Sequence, residues 1–305
     1  MFTTLYIREL QNYLYSLRFQ VSFVIVVLVF TLGSVSFASS FKDMHDNYTK
    51  YSVAQQEAIG KQAENISKVA TARNSFIISP RENSVIADCK ESYLPNRITY
   101  SAYNVFDYSV RHDSNNPLLI RTDSLSWSFI VSMFLSFITL LFAFDAISGE
   151  KEERTLALVF SNAVPRRTFL CSKLLSIITV IGVMELVGII ISLIILAVSG
   201  QVQLNSSFLI ETAGFILISL LFITTFAVFG LLSSVVTRYS NISLLISLCF
   251  WLFAAVVIPN TSVFWAKTLF SIPTSDEVAQ KRQEASNDIN RNAPEGSWSS
   301  NGMDA

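Results

Sequence analysis

Five stretches of this chain are long and apolar enough to cross a bilayer, and no other feature constrains its fold as tightly. Residues 19–41 carry no charge between Arg18 and Lys42, and residues 124–144 none between Asp123 and Asp145. The stretch 174–198 carries one charge, Glu185; residues 212–237 lie between Glu211 and Arg238, and 239–266 end before Lys267. A hydrocarbon core of about 30 Å needs about 20 apolar helical residues, so each run is predicted to be a transmembrane helix. Lipid offers the backbone no hydrogen-bond partners, which excludes open strands. The absence of polar–apolar alternation excludes a β-barrel. The expected class is an all-α polytopic membrane protein of about five transmembrane helices, with a small, mainly helical ectodomain between the first two. Only 15% of the residues are charged, well under the usage of soluble domains.

The predicted organisation runs as follows. Residues 1–18 form a cytoplasmic interfacial amphipathic helix and 19–41 the first span, followed by an extracytoplasmic domain, 42–123. The second span is 124–144, a cytoplasmic segment occupies 145–173, and the third span is 174–198. The fourth and fifth spans are placed at 208–235 and 241–260, and 261–305 begins a second extracytoplasmic segment. Orientation follows from basic residues in short loops. Arg8, Arg18, Lys151, Arg154, Arg166, Arg167, Lys173 and Arg238 fall on one side when the N-terminus is inside, whereas the short loop Gly200–Ser207 has none. The 18-residue lead and long first apolar run do not read as a cleavable signal peptide.

In the ectodomain, Ile59, Ala63, Ile66 and Ala70 recur at helical spacing and predict one packed helical face. Phe76–Ile78 and Ile98–Tyr100 are short enough to be strands, with Pro80, Pro95 and Pro117 punctuating the rest. Near the C-terminus, Thr274 and Glu277 have capping-box spacing after Pro273, predicting a helix start. Five spans from an inside start leave the C-terminus outside, and 267–305 read as the opening of an ectodomain. The expectation is a fragment lacking a sixth span; a longer reading frame with another apolar run is the test.

Segment 145–173 is a charged island between two spans. Gly149 is expected to end the second span. Glu150, Glu152 and Glu153 fall in the first turn of a short new helix, where carboxylates complement the dipole, and Glu150 and Arg154 stand at i,i+4 in the stabilising order. Leu156, Val159 and Phe160 supply an apolar face. Ser161, Asn162 and Pro165 end the helix, and Pro165 can open the next one as its first residue. Arg166, Arg167 and Lys173 follow at the inner interface.

Ile147–Leu156, followed by Ser161–Arg166 and Lys173, resembles the coupling segment of type-2 ABC exporter permeases, nearest the branch associated with copper-enzyme maturation and gliding motility. Gly149-Glu150, Thr155-Leu156, Ser161, Arg166 and Lys173 match the family pattern, and Arg154 stands where the family has Gly. Arg8-Glu9-Leu10 with Leu17-Arg18-Phe19 is similar to the family's interfacial helix, and Ile258-Pro259 with Ile272–Ser275 to the start of a second ectodomain. The resemblance implies a membrane permease subunit that is not itself an enzyme, working as a homodimer in a bacterial inner (plasma) membrane with a separate ABC ATPase subunit. It implies ATPase coupling at Gly149, Glu150, Glu153, Arg154, Thr155, Leu156, Pro165, Arg166 and Arg167. An interfacial role is implied for Arg8, Glu9 and Arg18, and six or more spans for full-length relatives. An ordinary positive-inside loop explains the basic residues of the island but not its carboxylates.

Glu185 sits near the middle of the third span, where a charge costs about 2.5–3.5 kcal/mol. A hydrogen bond to Ser or Thr of a neighbouring span competes with a role in a substrate path, and Glu185→Gln is expected to change transport more than abundance. His45 and His112 lie in predicted solvated loops without ligand spacing, so no metal is expected. Cys89, Cys171 and Cys249 fall in different settings, and no intrachain disulfide is predicted. Asn47-Tyr48-Thr49 and Asn65-Ile66-Ser67 match a glycosylation sequon, which has meaning only in a host that glycosylates. No phosphate loop, zinc-protease motif or nucleophile elbow occurs, so no cofactor or catalytic residue is assigned, and a net charge of −1 points to no nucleic-acid partner. The competing reading is a non-transporting membrane anchor or sensor that displays the ectodomain and docks a cytoplasmic protein.

Overall fold

A computed structural model describes residues 2–62, 74–77, 79–87, 97–100, 107–108, 125–161, 164–200, 202, 205–269 and 275–292. The chain divides into two compact units, Met1–Trp251 and Leu252–Ala305. In the first unit, α1 (Phe2–Leu14) precedes the long α2 (Leu17–Gln62). Strands β1 (Asn74–Ile77), β2 (Arg97–Tyr100) and β3 (Asp107–Tyr108) follow. Helix α3 runs through Trp127–Ile130, a π-helical turn at Val131–Leu135 and Ser136–Ala143. Two short helices, α4 (Ser148–Glu152) and α5 (Leu156–Ser161), lead to α6 (Arg166–Ser199), α7 (Ser206–Val236) and α8 (Ser240–Trp251). Among the described residues, five helices are long and apolar enough to cross a membrane: Leu17–Lys61, Trp127–Glu152, Arg166–Ser199, Ser206–Val236 and Ser240–Val257. The chain is a polytopic α-helical membrane protein.

Ser16 joins α1 to α2. Its hydroxyl donates to the Tyr13 carbonyl (2.6 Å) and accepts from the Phe19 N–H (3.2 Å), which caps the first span. Helix α2 does not stop where the apolar run ends but continues to Gln62. Residues 42–59 contain neither Pro nor Gly, so nothing local breaks the helix when its surroundings change from lipid to water. His45, expected in a loop, therefore lies on a helix, with its ring 6.3 Å from Phe41 and 6.5 Å from Tyr48. Ile59 belongs to this helix; Ala63, Ile66, Ala70, Asn65, Ser67, Pro95, Pro117, His112 and Cys89 lie outside the described residues.

The three strands form one antiparallel sheet in the order β1-β2-β3, with Phe76 opposite Ile98 and Ile98 opposite Tyr108. Both segments expected to be strands are thus paired with each other, apart from Ile78, which is not described.

The core of the first unit is built from Val26 and Phe30 of α2, Trp127, Ile130, Leu135 and Phe142 of α3, and Ile177, Ile181 and Met184 of α6, with Ile223 and Ala227 of α7. Two glycines set the closest approaches. A Cβ at Gly188 would fall 2.5 Å from the Phe30 ring, and one at Gly230 2.5 Å from the Ala143 Cβ. Small residues let helix backbones pack closely where lipid supplies no hydrophobic drive. Polar ties complete the packing. Trp127 Nε1 donates to Ser192 Oγ (2.8 Å), which also bonds Ser34, and Trp251 Nε1 donates to Ser136 Oγ (2.9 Å).

In the second unit, a π-helical turn at Leu252–Val257 leads into α9 (Ile258–Leu269), and α10 spans Ser275–Asn292. Pro259 has no N–H to offer the preceding turn and its ring crowds it, which accounts for the widened π turn. Pro273 and Thr274, expected to start α10, lie outside the described residues.

Candidate functional site

The island folds as two helices rather than one. Helix α4 ends in a Schellman motif: the Thr155 N–H bonds the Glu150 carbonyl (3.0 Å), and the Arg154 N–H bonds the Lys151 carbonyl (3.3 Å). This places Arg154 at φ 60°, the one non-glycine residue with positive φ among those described. An L side chain in that region costs about 1 kcal/mol relative to Gly. The resemblance aligned Arg154 with a family glycine, and the backbone here adopts the conformation a glycine would favour. The expected Glu150–Arg154 pair on one helix is therefore corrected, because Arg154 has left the helix. Gly149 does not end the second span either: it lies inside α4, and the apolar helical stretch that begins at Trp127 runs on to Glu152.

After Thr155 the chain re-enters a helix. Leu156, Val159 and Phe160 of α5 turn onto the core as their spacing predicts, while Leu158 on the opposite face is 67% exposed. Asn162 and Ala163 are not described. Pro165 occupies the cap of α6 (φ −62°, ψ 133°), one position before the first helical residue expected of it, and Arg166 opens the helix. The Arg166 guanidinium lies 5.8 Å from the centroid of the Phe160 ring, and Phe160 meets Phe169 edge-on at 5.6 Å. Arg167 is exposed beside it.

Lys173 ties these elements to the N-terminus. Its side chain is only 4% exposed, and Nζ sits 2.7 Å from Glu150 Oε1 and 3.1 Å from Glu9 Oε1. One buried ammonium thus joins α1, α4 and α6. A second ion pair links Arg18 of α2 to Asp145, with the guanidinium 5.3 Å from the Phe144 ring centroid. Tyr13 packs edge-on against Phe142. Burial, reinforced by the carboxylates of Glu9, Asp145 and Glu150, pushes its hydroxyl above the ordinary tyrosine range, so it remains neutral. Glu150 Oε2 is buried and has no hydrogen-bond partner among the described residues.

These groups surround one cleft of about 790 Å³. The structure brings the two predicted sets together there: Arg8, Glu9 and Arg18 from the N-terminal elements face Gly149, Glu150, Glu153 and Thr155. Arg154, Leu156, Pro165, Arg166 and Arg167 do not line it. Glu185 stands apart, 12 residues beyond Lys173 along α6 or about 18 Å at 1.5 Å per residue. It is fully buried and accepts a hydrogen bond from Ser219 of α7, the neighbouring-span partner that the sequence could not name.

Sequence reasoning missed a second contact of α4. The N–H groups of Ile147 and Ser148, which open the helix, donate to Ser234 Oγ at 2.9 and 2.8 Å. Lys151 Nζ donates to the carbonyls of Ser234 (3.2 Å), Val235 and Thr237 (2.9 Å) at the end of α7. Glu152 Oε2 accepts from Ser240 Oγ (2.9 Å) and Ser240 N (3.3 Å) at the start of α8. These partners lie 83 to 88 residues away, and no pattern in the island points to them.

The family described as ABC-2 family transporter protein matches residues 3–294, nearly the whole chain. No curated protein and no solved structure matches it.

Proposed function

Since the chain belongs to the ABC-2 family of transporter proteins and is thus a multi-pass permease component rather than a catalytic enzyme, we propose that it works as the membrane subunit of an exporter driven by a separate ABC ATPase. An ABC ATPase is the partner that family membership implies in general. Two permease copies pair in a bacterial plasma membrane, with the N-terminus and the α4–α5 segment on the cytoplasmic side. ATP binding closes the ATPases and pushes α4–α5, and spans two and three carry the push into the permease pair. The ectodomain meets cargo or a partner on the far side.

One observation supports this reading above the others. Helices α1, α4 and α5 meet the start of α6 around a single charged cleft, while α5 presents Leu158 outward beside the exposed Glu153 and Arg154. An apolar side chain flanked by charges on an exposed helix suits a groove in a partner protein. Arg166 and Arg167 add a further argument. In the first turn of α6 they oppose the helix dipole, so their placement serves something other than the stability of that helix. Glu150 is engaged inward with Lys173, which makes Glu153 and Leu158 the cleaner docking probes.

The test is co-purification from the native host. The wild-type chain is expected to bring down an ATPase subunit with a phosphate-binding loop, and Glu153→Lys with Leu158→Asp to lose it at unchanged permease abundance. Recovery of no ATPase with wild type refutes the exporter reading and leaves the membrane anchor or sensor.

A further inference from the structure

Helix α4 is held at both ends by the turn between α7 and α8, and the bonds run in both directions. The first N–H groups of a helix and the last carbonyls of another are orphans that need external partners. Ser234 near the end of α7 accepts the opening N–H groups of α4. In return, Lys151 of α4 reaches three carbonyls around the end of α7. An ammonium has three donors and no acceptor, so these three carbonyls use it completely. The next residue, Glu152, meets the N-terminus of α8 through Ser240.

The signs of both charges fit. A helix C-terminus carries partial negative charge and an N-terminus partial positive charge. Lys151 stands at the negative end of α7, and Glu152 at the positive end of α8. The reverse order, Glu-Lys, would place each charge against a like pole.

We propose that Lys151 and Glu152 form a latch between α4 and the α7–α8 turn, so that movement of the α4–α5 segment drives the fourth and fifth spans directly as well as the second and third. The proposal rests on the reading of α4–α5 as the segment an ATPase pushes. Lys151 and Glu152 are positioning residues on the inner side of that segment; the latch transmits the stroke and does not dock the motor. Beyond it, α4 reaches α8 through the long Ser148–Ser240 hydroxyl contact (3.5 Å), and the fifth span otherwise follows through lateral packing on α3 and α7, with contacts such as Ser233–Ser247 and Trp251–Ser136.

Two native cysteines report on the two sides. Cys171 lies on α6 and Cys249 on α8, and both are exposed. In the purified permease–ATPase complex carrying Cys89→Ser, a nitroxide is attached to Cys171 alone or Cys249 alone, the other being replaced by Ser. Spectra are compared with and without a non-hydrolysable ATP analogue. The expected result is a nucleotide-dependent change at both positions, with the change at Cys249 lost and that at Cys171 retained in the Lys151→Met, Glu152→Ala double variant. Lys151→Arg, which keeps charge and donors, is expected to retain both. An undiminished response at Cys249 in the double variant overturns the latch. Equal loss at both positions with the ATPase still bound also overturns it, since that is the signature of a general folding role. Failure of an ATPase to co-purify with the wild-type chain overturns the docking reading first, and the latch with it.

Discussion

Lys173 offers the sharpest energetic test, because the network around it has an odd charge count: one ammonium faces two carboxylates. At 2.7 Å from Glu150 and 3.1 Å from Glu9, and with an effective dielectric near 20, the two attractions amount to about 6 and about 5 kcal/mol. The two carboxylate oxygens, sharing one nitrogen, can be no farther apart than about 5.8 Å and so repel by at least about 3 kcal/mol on the same scale. Desolvation of all three groups offsets most of this, so the gross figures rank the variants rather than measure them. Glu9→Gln gives up one attraction but also removes the repulsion and one desolvated charge, and it leaves a neutral Lys173–Glu150 pair. Its net cost should be about 1 kcal/mol. Lys173→Met removes both attractions and leaves two mostly buried carboxylates, 16% and 22% exposed, facing each other, which should cost about 3–5 kcal/mol. Thermal unfolding of the purified chain in lipid nanodiscs should show a drop of roughly 6–20 °C for Lys173→Met and only a few degrees for Glu9→Gln. The Lys173→Met, Glu150→Gln double variant should recover part of the loss, because it removes the repulsion that the single variant creates. If Glu9→Gln is as damaging as Lys173→Met, or if the double variant shows simple additivity, the argument from the charge count is refuted.

Two further expectations concern single positions. Arg154→Gly should stabilise the chain by about 0.5–1 kcal/mol by removing the side chain from a left-handed backbone position, seen as a small rise in the same unfolding midpoint; a fall would mean that the Arg154 side chain makes an offsetting contact. Glu185→Gln keeps an acceptor for the Ser219 hydroxyl while removing any charge, so abundance in the membrane should match wild type by fluorescence of a tagged chain. A loss of abundance equal to the loss of transport-linked ATPase activity would leave Glu185 with a purely structural task.

Several elements of the fold were legible in the amino-acid sequence because they are properties of short windows. The five apolar runs and the inward face of Leu156, Val159 and Phe160 are set by side chains a few residues apart, as is the extended character of the Phe76 and Ile98 segments. The end of α2 was not legible from hydropathy alone, since the polar stretch after Phe41 is as competent to be helical as the apolar stretch before it. The candidate site was half legible. Its charged residues stood out in two separate places, near Arg8–Arg18 and at 145–173, but nothing local said that Lys173 would bind both. Glu150 was read as a first-turn acid paired with Arg154 on its own helix, and the structure pairs it instead with an ammonium on another helix.

The amino-acid sequence by itself determined that this chain spans a membrane, and that a charged segment with helix signals lies between the second and third spans. Burial in lipid and helix-end preferences act on residues near each other in the chain, so they can be read along it. The tertiary structure decided which orphan groups those helix ends would share. Ser234, Lys151, Glu152 and Ser240 satisfy one another across more than 80 residues of chain. Such pairings exist only once packing has brought the ends of α4, α7 and α8 to one place.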